Sequence, residues 1–409
     1  MSSNTPIIPG NVMIGQSGGP TAVINQSLVG IVETLRGIPG IDKIYGAVHA
    51  VRGMVSNHLV ELQDLSQELL EKIALTPSAA LGSCRDKPDE AYCRQILKSF
   101  AEQNIRYFFY IGGNDSSDTC RIINEMAIKD HYELRCFHVP KTIDNDLMCN
   151  DHTPGFASAA KFVAQAFMGD NCDNRALPGI KINVIMGRHA GFLTAAAMLA
   201  RQNPNDGPHL IYVPEVAFDP EQFVADVKRI YQAQGRCLIA VSEGIHDAQG
   251  TPMLTKLAPQ VEKDDHGNVQ LSGTGALGDF LVTLIKSKLD SGVRVRADTF
   301  GYLQRSFAGI YSKVDAKEAR QAGATAAQLA TAGQFSDGSI AIVRTSDSPY
   351  TVAFNRVELS DVAAKTQVLD ERYLLNGNDI HPSFIDYLAP LVPDLPQLGT
   401  LPIPELIKN

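Results

Sequence analysis

At roughly 150 residues per domain, a chain of 409 residues holds two to three domains and can bury large cores without disulfide or metal staples. With 44% hydrophobic and 20% charged residues, the composition excludes a disordered or collagen-like protein. The 36 basic residues stand against 45 acidic ones, a net charge of -9, so no general basic field draws the chain to nucleic acid or an anionic membrane, and an anionic ligand must be held by local charge.

The start, MSSNTPIIPGNVMIG, lacks the basic and apolar regions of a signal peptide, and no run of about 18 apolar residues follows anywhere. A cytoplasmic protein is expected. Short apolar runs then alternate with helical stretches, the pattern of βα units and a mostly parallel sheet. Asn11–Gly15, Lys43–Val48, Arg106–Ile111 and Arg135–Val139 read as strands, with helices over Thr21–Arg36, Pro88–Gln103 and Ser116–Lys129. A second series comprises a helix near Ala157–Met168, strand Ile180–Ile185, helix Gly191–Arg201, strand His209–Val213, helix Glu221–Gln234 and strand Cys237–Val241. Between the two lies the polar stretch His138–Gly155, bracketed by prolines, where the main crossing between domains is expected. Ligands of open α/β sheets sit at strand C-termini and between domains, so chemistry is sought there first. Val261–Gly275 reads as an exposed loop or hairpin, and Val392–Leu401 carries no regular pattern. The seven cysteines form no CxxC pair, which predicts reduced thiols and neither disulfides nor a zinc site.

Several glycine motifs compete for the chemistry. Ile14–Pro20 (IGQSGGP) ends a strand and opens a helix, so its backbone N–H groups could approach a phosphate. It also matches the G-x-S-x-G nucleophile elbow through Gly15, Ser17 and Gly19, but only His381 lies in the last third of the chain to serve as its base. Gly273–Gly278 (GTGALG) fits the G-x-G-x-x-G dinucleotide fingerprint, with Asp298 about 20 residues on, which leaves an NAD(P)-dependent oxidoreductase as an alternative. The strand before it would be short and would follow a charged turn, unlike a central parallel strand. Tyr110–Thr119 (YIGGNDSSDT) combines an aromatic strand, two glycines at its end, acidic and amide groups at the turn and serines at a helix start, which suits a phosphate with its magnesium ion. The next strand ends in Lys141-Thr142-Ile143-Asp144-Asn145-Asp146, so two neighbouring strand ends deliver polar groups to one edge.

Taken in order, SGGPTAVIN (17–25), LGSCR (81–85), IGGNDS (111–116), PKTIDND (140–146), MGRHAGF (186–192), SEG (242–244) and RADTFGYLQR (296–305) resemble the phosphofructokinase family, specifically its pyrophosphate-dependent branch, over about three quarters of the chain. The resemblance implies two Rossmann-like α/β/α domains with the active site in the cleft between them. One comprises residues 1–152 with a returning segment over 308–355, the other 153–307 with parts of 356–409. It implies reversible transfer from pyrophosphate to the 1-hydroxyl of fructose 6-phosphate, a Mg2+ ion, and a homodimer or homotetramer with active sites completed by a neighbouring subunit. An ATP-dependent phosphofructokinase and a non-catalytic sugar-phosphate sensor are the rival readings.

Carried over by residue, the resemblance makes Asp144 the general base, with Lys141, Thr142 and Arg85 as catalytic companions. It assigns Gly18, Gly19, Gly113, Asp115, Ser116 and Lys141 to the donor. It assigns Thr142, Asp144, Met186, Gly187, Arg188, Glu243, Arg296, Tyr302 and Arg305 to the sugar phosphate, and Asp115 and Asp146 to the metal. Lys181 is the nearest candidate for the cation from a neighbouring subunit. Two positions bear on the donor. Where the ATP-using branch has a small residue this chain has Asp115, and where it has a glycine this chain has Lys141. Two like charges about 4 Å apart repel by about 4 kcal/mol at an effective dielectric of 20, which disfavours a nucleotide α-phosphate beside Asp115, whereas Lys141 suits a bare diphosphate end. Asn114 replaces the family's usual aspartate, which shifts charge compensation for the metal toward Asp115, Asp144 or Asp146.

Overall fold

The computed structural model describes residues 7–257, 275–289 and 292–401. Residues 261–274 of the expected Val261–Gly275 loop, among them the first two residues of GTGALG, lie outside them. The first sheet has seven strands in the order β11-β10-β5-β4-β1-β2-β3. These are β1 (Gly10–Gln16), β2 (Ile41–Ala47), β3 (Leu59–Glu61), β4 (Ile105–Gly112), β5 (Arg135–Pro140), β10 (Asp337–Asp347) and β11 (Tyr350–Val357). The second has four strands in the order β7-β8-β6-β9, namely β6 (Ile180–Ile185), β7 (Leu210–Tyr212), β8 (Cys237–Ser242) and β9 (Val295–Thr299). The second sheet is wholly parallel, and the first is parallel except at its edges, where β3 and β11 run antiparallel to their neighbours. The α/β class with mostly parallel sheets is therefore borne out.

Side-chain alternation explains the layers. Tyr107, Phe109 and Ile111 of β4 pack into one core with the helices Ile24–Leu35 and Lys313–Ala332, while Phe108 and Tyr110 pack into another with Glu90–Glu102 and Asn114–Lys129. Buried on both faces, the strand reads as a continuous apolar run. In β8, Leu238 and Ala240 face one core of the second unit, and Cys237, Ile239 and Val241 face the other.

Some element bounds differ from expectation. The first helix begins at Ile24 rather than Thr21, after the Gly18–Pro20 turn. The stretch expected as one helix over 191–201 is a four-residue α-turn, Phe192–Ala195, that tightens into a 3-10 helix over Ala196–Ala200. The periodic pattern did not distinguish these helix types, since both bury a small-residue face. Among the described residues no helix is long and apolar enough to cross a membrane.

The described part of GTGALG, residues 275–278, serves packing. The helix Ala276–Lys288 starts at its end, and a Cβ on Gly278 would stand 3.0 Å from Ala297 Cβ on β9, so that glycine lets the helix approach the sheet. Asp298, the acid a dinucleotide fingerprint would need, pairs with Lys181.

Behind the first sheet, His152 is buried between Asp151 (2.7 Å) and Glu318 (2.6 Å). Burial alone would lower its pKa, but hydrogen bonds to both carboxylates outweigh it and hold the imidazole at about 9. A histidine raised from 6.5 stabilises the fold fully below pH 6.5 and loses that contribution as pH rises through about 9. Thermal unfolding should therefore show stability falling between pH 7 and 9.5 by on the order of 2–3 kcal/mol. That slope should vanish in His152→Gln, and an equal slope in the variant would contradict the assignment.

Candidate active site

Six strands end at one cavity of about 410 Å³. β1 runs into Ser17–Pro20, β4 into Gly113–Ser116, β5 into Lys141–Asp146, β6 into Met186–His189, β8 into Glu243 and β9 into the turn carrying Tyr302 and Arg305. Residues from both sheets line it, as the rule for strand C-termini in open α/β sheets requires.

At one end, the Ser17–Gly19 turn and the start of the helix Asn114–Lys129 meet. Gly18 takes a φ of 75, the left-handed region that favours glycine. The Ser17 hydroxyl bonds that of Ser116 and is thereby tied into the turn, with no sign of the elbow arrangement. Lys141, 3% exposed, donates Nζ to Gly19 O at 2.8 Å. Burial, then the neighbouring Arg305 charge, lowers its pKa to about 7.

The acidic loop follows. Asp144 N donates to Thr142 Oγ1 at 3.1 Å, closing a tight turn. Burial raises the Asp144 pKa against the opposing pull of Arg305 and Lys141. Burial first, then the Asp144 charge, raises Asp146 to about 7. Asn114 donates Nδ2 to Asp146 Oδ2 at 3.1 Å, while its own Oδ1 is buried without a hydrogen-bond partner.

Asp115 lines the same wall but pairs with Lys87 at 3.0 Å, with its side chain 62% exposed. Lys87, which sequence reasoning passed over, offsets part of the charge this carboxylate presents. Asp86 is likewise held by a fork from Arg52 (2.6–3.0 Å) and by Tyr92 Oη at 3.2 Å. Arg85, Lys141, Arg188 and Arg305 thus face a cavity in which Asp144, Asp146 and Glu243 are the acids not countered by Arg52 or Lys87.

At the other end, Gly187 has a φ of 134, and a Cβ there would stand 2.6 Å from Ala190 O; it shapes the turn from behind, while Met186 and Arg188 line the cavity. Burial, then the charge of Arg85, lowers the Arg305 pKa. Its guanidinium stacks over Tyr302 at 4.7 Å and runs beside Gly19, so it reaches toward the donor turn as well as the sugar end.

Two residues assigned from the sequence stand away from this chain's own cavity. Arg296 is exposed, donates to Val295 O and does not line its own chain's cavity, because it sits at the start of β9, in register with Lys181, whereas the cavity lies past the strand's C-terminal end. Lys181 pairs with carboxylates of its own chain, Asp298 and, at 3.8 Å, Asp170. Sequence reasoning also missed His189, which stands inside a matched block, and Thr366, which lies in a stretch without any motif and arrives from the C-terminal segment.

Comparison with known proteins agrees with this geometry. The phosphofructokinase family model matches residues 11–330. The chain is 57% identical over 385 residues to the pyrophosphate–fructose 6-phosphate 1-phosphotransferase of Rhodospirillum rubrum, covering 94% of each. It is 35% identical to the one of Halomonas elongata over 93% of this chain and 91% of that one. The crystal structure of a pyrophosphate-dependent phosphofructokinase from Marinobacter aquaeolei superposes with a TM-score of 0.81 at 31% identity, covering 97% of this chain and 94% of that one. The chain belongs to the phosphofructokinase family.

Proposed function

We propose that the chain catalyses reversible phosphoryl transfer from pyrophosphate to the 1-hydroxyl of fructose 6-phosphate, giving fructose 1,6-bisphosphate and phosphate. The observation that carries this reading is the juxtaposition, in one cavity, of Lys141 under the Gly18–Gly19 turn and Asp144 on the adjoining loop. The names of its relatives support the same reaction.

Asp144 is the general base. A sugar hydroxyl is a weak nucleophile, and a carboxylate of raised proton affinity both orients it and takes its proton as the new P–O bond forms. Arg85 neutralises charge on the transferring phosphoryl oxygens, and Lys141, with the N–H groups of the Gly18–Gly19 turn, Gly113 and Ser116, holds the diphosphate. Thr142 fixes the loop and reaches the transferring group. Met186, Arg188, Glu243, Tyr302 and Arg305 hold the sugar phosphate, with Gly187 shaping their turn.

A magnesium ion fits the residues present. Asn114, whose Nδ2 donates to the Asp146 carboxylate, keeps a buried Oδ1 without a hydrogen-bond partner, and among the described residues no cluster of three His, Cys, Asp or Glu side chains forms a self-sufficient metal cage. Mg2+ commonly takes only one or two carboxylates and completes its shell with phosphate and water. Asp146 and Asn114 would hold it, with Asp115 at the rim; bound there, it would neutralise charge on the donor phosphates.

We assign residues 1–152 with 308–355 to a donor domain and 153–307 with parts of 356–409 to a sugar-phosphate domain, in a cytoplasmic homodimer or homotetramer. The exposure of Arg296 outside its own cavity and of Tyr302, Leu303 and Phe307 supports a shared site. Phosphorus NMR of the protein with pyrophosphate, fructose 6-phosphate and Mg2+ tests the reaction. Signals of fructose 1,6-bisphosphate and phosphate should grow as pyrophosphate decays, and pyrophosphate loss without a sugar bisphosphate would overturn it.

A further inference from the structure

The family match ends at residue 330, yet the chain beyond it returns to the loop that carries both acidic residues. Asn145 stands between Asp144 and Asp146, is fully buried and has a φ of 59, a left-handed conformation that asparagine tolerates better than most residues. Its backbone oxygen accepts from Gln367 Nε2 at 2.9 Å, its Nδ2 donates to Tyr387 Oη at 2.9 Å, and its Oδ1 accepts from Thr153 N at 2.9 Å. Gln367 donates again, from Nε2 to Asn150 O at 3.2 Å and from its backbone N to Asp146 O at 2.8 Å. Tyr387 donates its hydroxyl to Asp151 O at 2.8 Å and packs its ring against Phe384 and Tyr373.

The returning segment is itself anchored on both sides. Leu359 enters the core beside the helix Asn114–Lys129, and Leu369 enters the core of the second unit. Leu369 N donates to Glu215 Oε1 at 2.8 Å, and the same oxygen accepts from Gly191 N at 2.8 Å, just past the Met186–His189 turn. Among the described residues, the bonds that fix Asn145 from outside its own loop thus come from one C-terminal segment packed against both units.

We infer that Gln367 and Tyr387 are positioning residues: by locking Asn145 in its left-handed conformation they fix the direction in which Asp144 and Asp146 face the cavity. A rotation at residue 145 would swing both flanking carboxylates, and a left-handed non-glycine residue persists only where its surroundings over-determine it. Misplacing a catalytic group by about 1 Å costs up to about 10²-fold in rate. The inference rests on the proposed function, since it acts through the general base assigned there, and neither residue is required to touch substrate.

The experiment compares Gln367→Met, which keeps length and loses the side-chain donors, Tyr387→Phe, which removes one oxygen, and the double variant. Steady-state kinetics and thermal unfolding are measured on each, with the folded fraction checked by circular dichroism. Each single change should lower kcat about tenfold while the KM values for both substrates stay within about twofold. The double variant should lose less than the product of the two, because both act on one peptide. Unchanged kcat per folded molecule with a lowered Tm, or a rise in KM alone, would overturn the inference. Should Gln367→Met not fold, Tyr387→Phe and Asn145→Gly, which keeps access to the left-handed region but loses the side-chain bonds, carry the same expectation and the same refutation. The wild type is run with pyrophosphate and with ATP. Use of ATP alone would overturn the donor reading, and the ratio of variant to wild-type kcat with ATP would then decide the positioning role. A wild type inert with both overturns the functional reading and this inference with it.

Discussion

Asp144→Asn should lower kcat by about 10²- to 10⁴-fold, the range typical of removing a positioned general base, while the KM for fructose 6-phosphate changes no more than a few-fold. The amide keeps the shape of the carboxylate, and the turn survives because Asp144 contributes its backbone N–H, not its side chain, to the bond with Thr142. What is lost is an acceptor whose proton affinity burial has raised. Such a group acts mainly in the transition state, so the loss appears in kcat and kcat/KM together. Steady-state kinetics check this, and a near-normal kcat would remove Asp144 from the role.

The second large effect concerns the donor. Lys141→Gly should lower kcat/KM for pyrophosphate by about 10- to 150-fold, the worth of a charge-assisted contact of roughly 1.5–3 kcal/mol. Combined with Asp115→Gly it should also raise kcat/KM for ATP. The larger share is expected from Lys141, which is buried under the Gly18–Gly19 turn and fills the space there, whereas Lys87 already compensates Asp115 at the exposed rim. The sign of the pH dependence follows. Burial holds free Lys141 near 7, so it loses its positive charge as pH rises through that value. The kcat/KM for pyrophosphate should therefore fall on the alkaline side, a limb that Lys141→Met should abolish. A double Asp115/Lys141 variant with no gain in ATP use would mean that nucleotide exclusion lies elsewhere in the cavity wall.

The α/β architecture was legible because strands buried on both faces leave continuous apolar runs such as Arg106–Ile111, and because turns at their C-terminal ends collect glycine and acidic residues. The alternation of Phe108 and Tyr110 with Tyr107 and Phe109 between two cores left no separate trace in the sequence, since both faces are equally apolar. Most of the residues assigned from the matched blocks line one cavity. Arg296 lies at the start of β9 and not at its cavity end, a placement that a linear motif does not encode. The ion pairs of Lys181 with Asp170 and Asp298 were not legible, because those carboxylates are distant in sequence and meet it only in the folded sheet. Lys87 escaped notice because its meaning lies in a contact with Asp115, 28 positions on. Thr366 reaches Asn114, and Gln367 and Tyr387 reach the acidic loop, across more than 200 residues of chain, a relation that neither periodicity nor spacing carries.

The preference for a bare diphosphate over a nucleotide is most directly tested by measuring kcat/KM for pyrophosphate and for ATP on the purified wild-type protein, with saturating fructose 6-phosphate and Mg2+. The cavity chemistry at Lys141 and Asp115 predicts a ratio of at least about 10² in favour of pyrophosphate, equivalent to about 3 kcal/mol. Comparable values for the two donors, or a ratio favouring ATP, would contradict it.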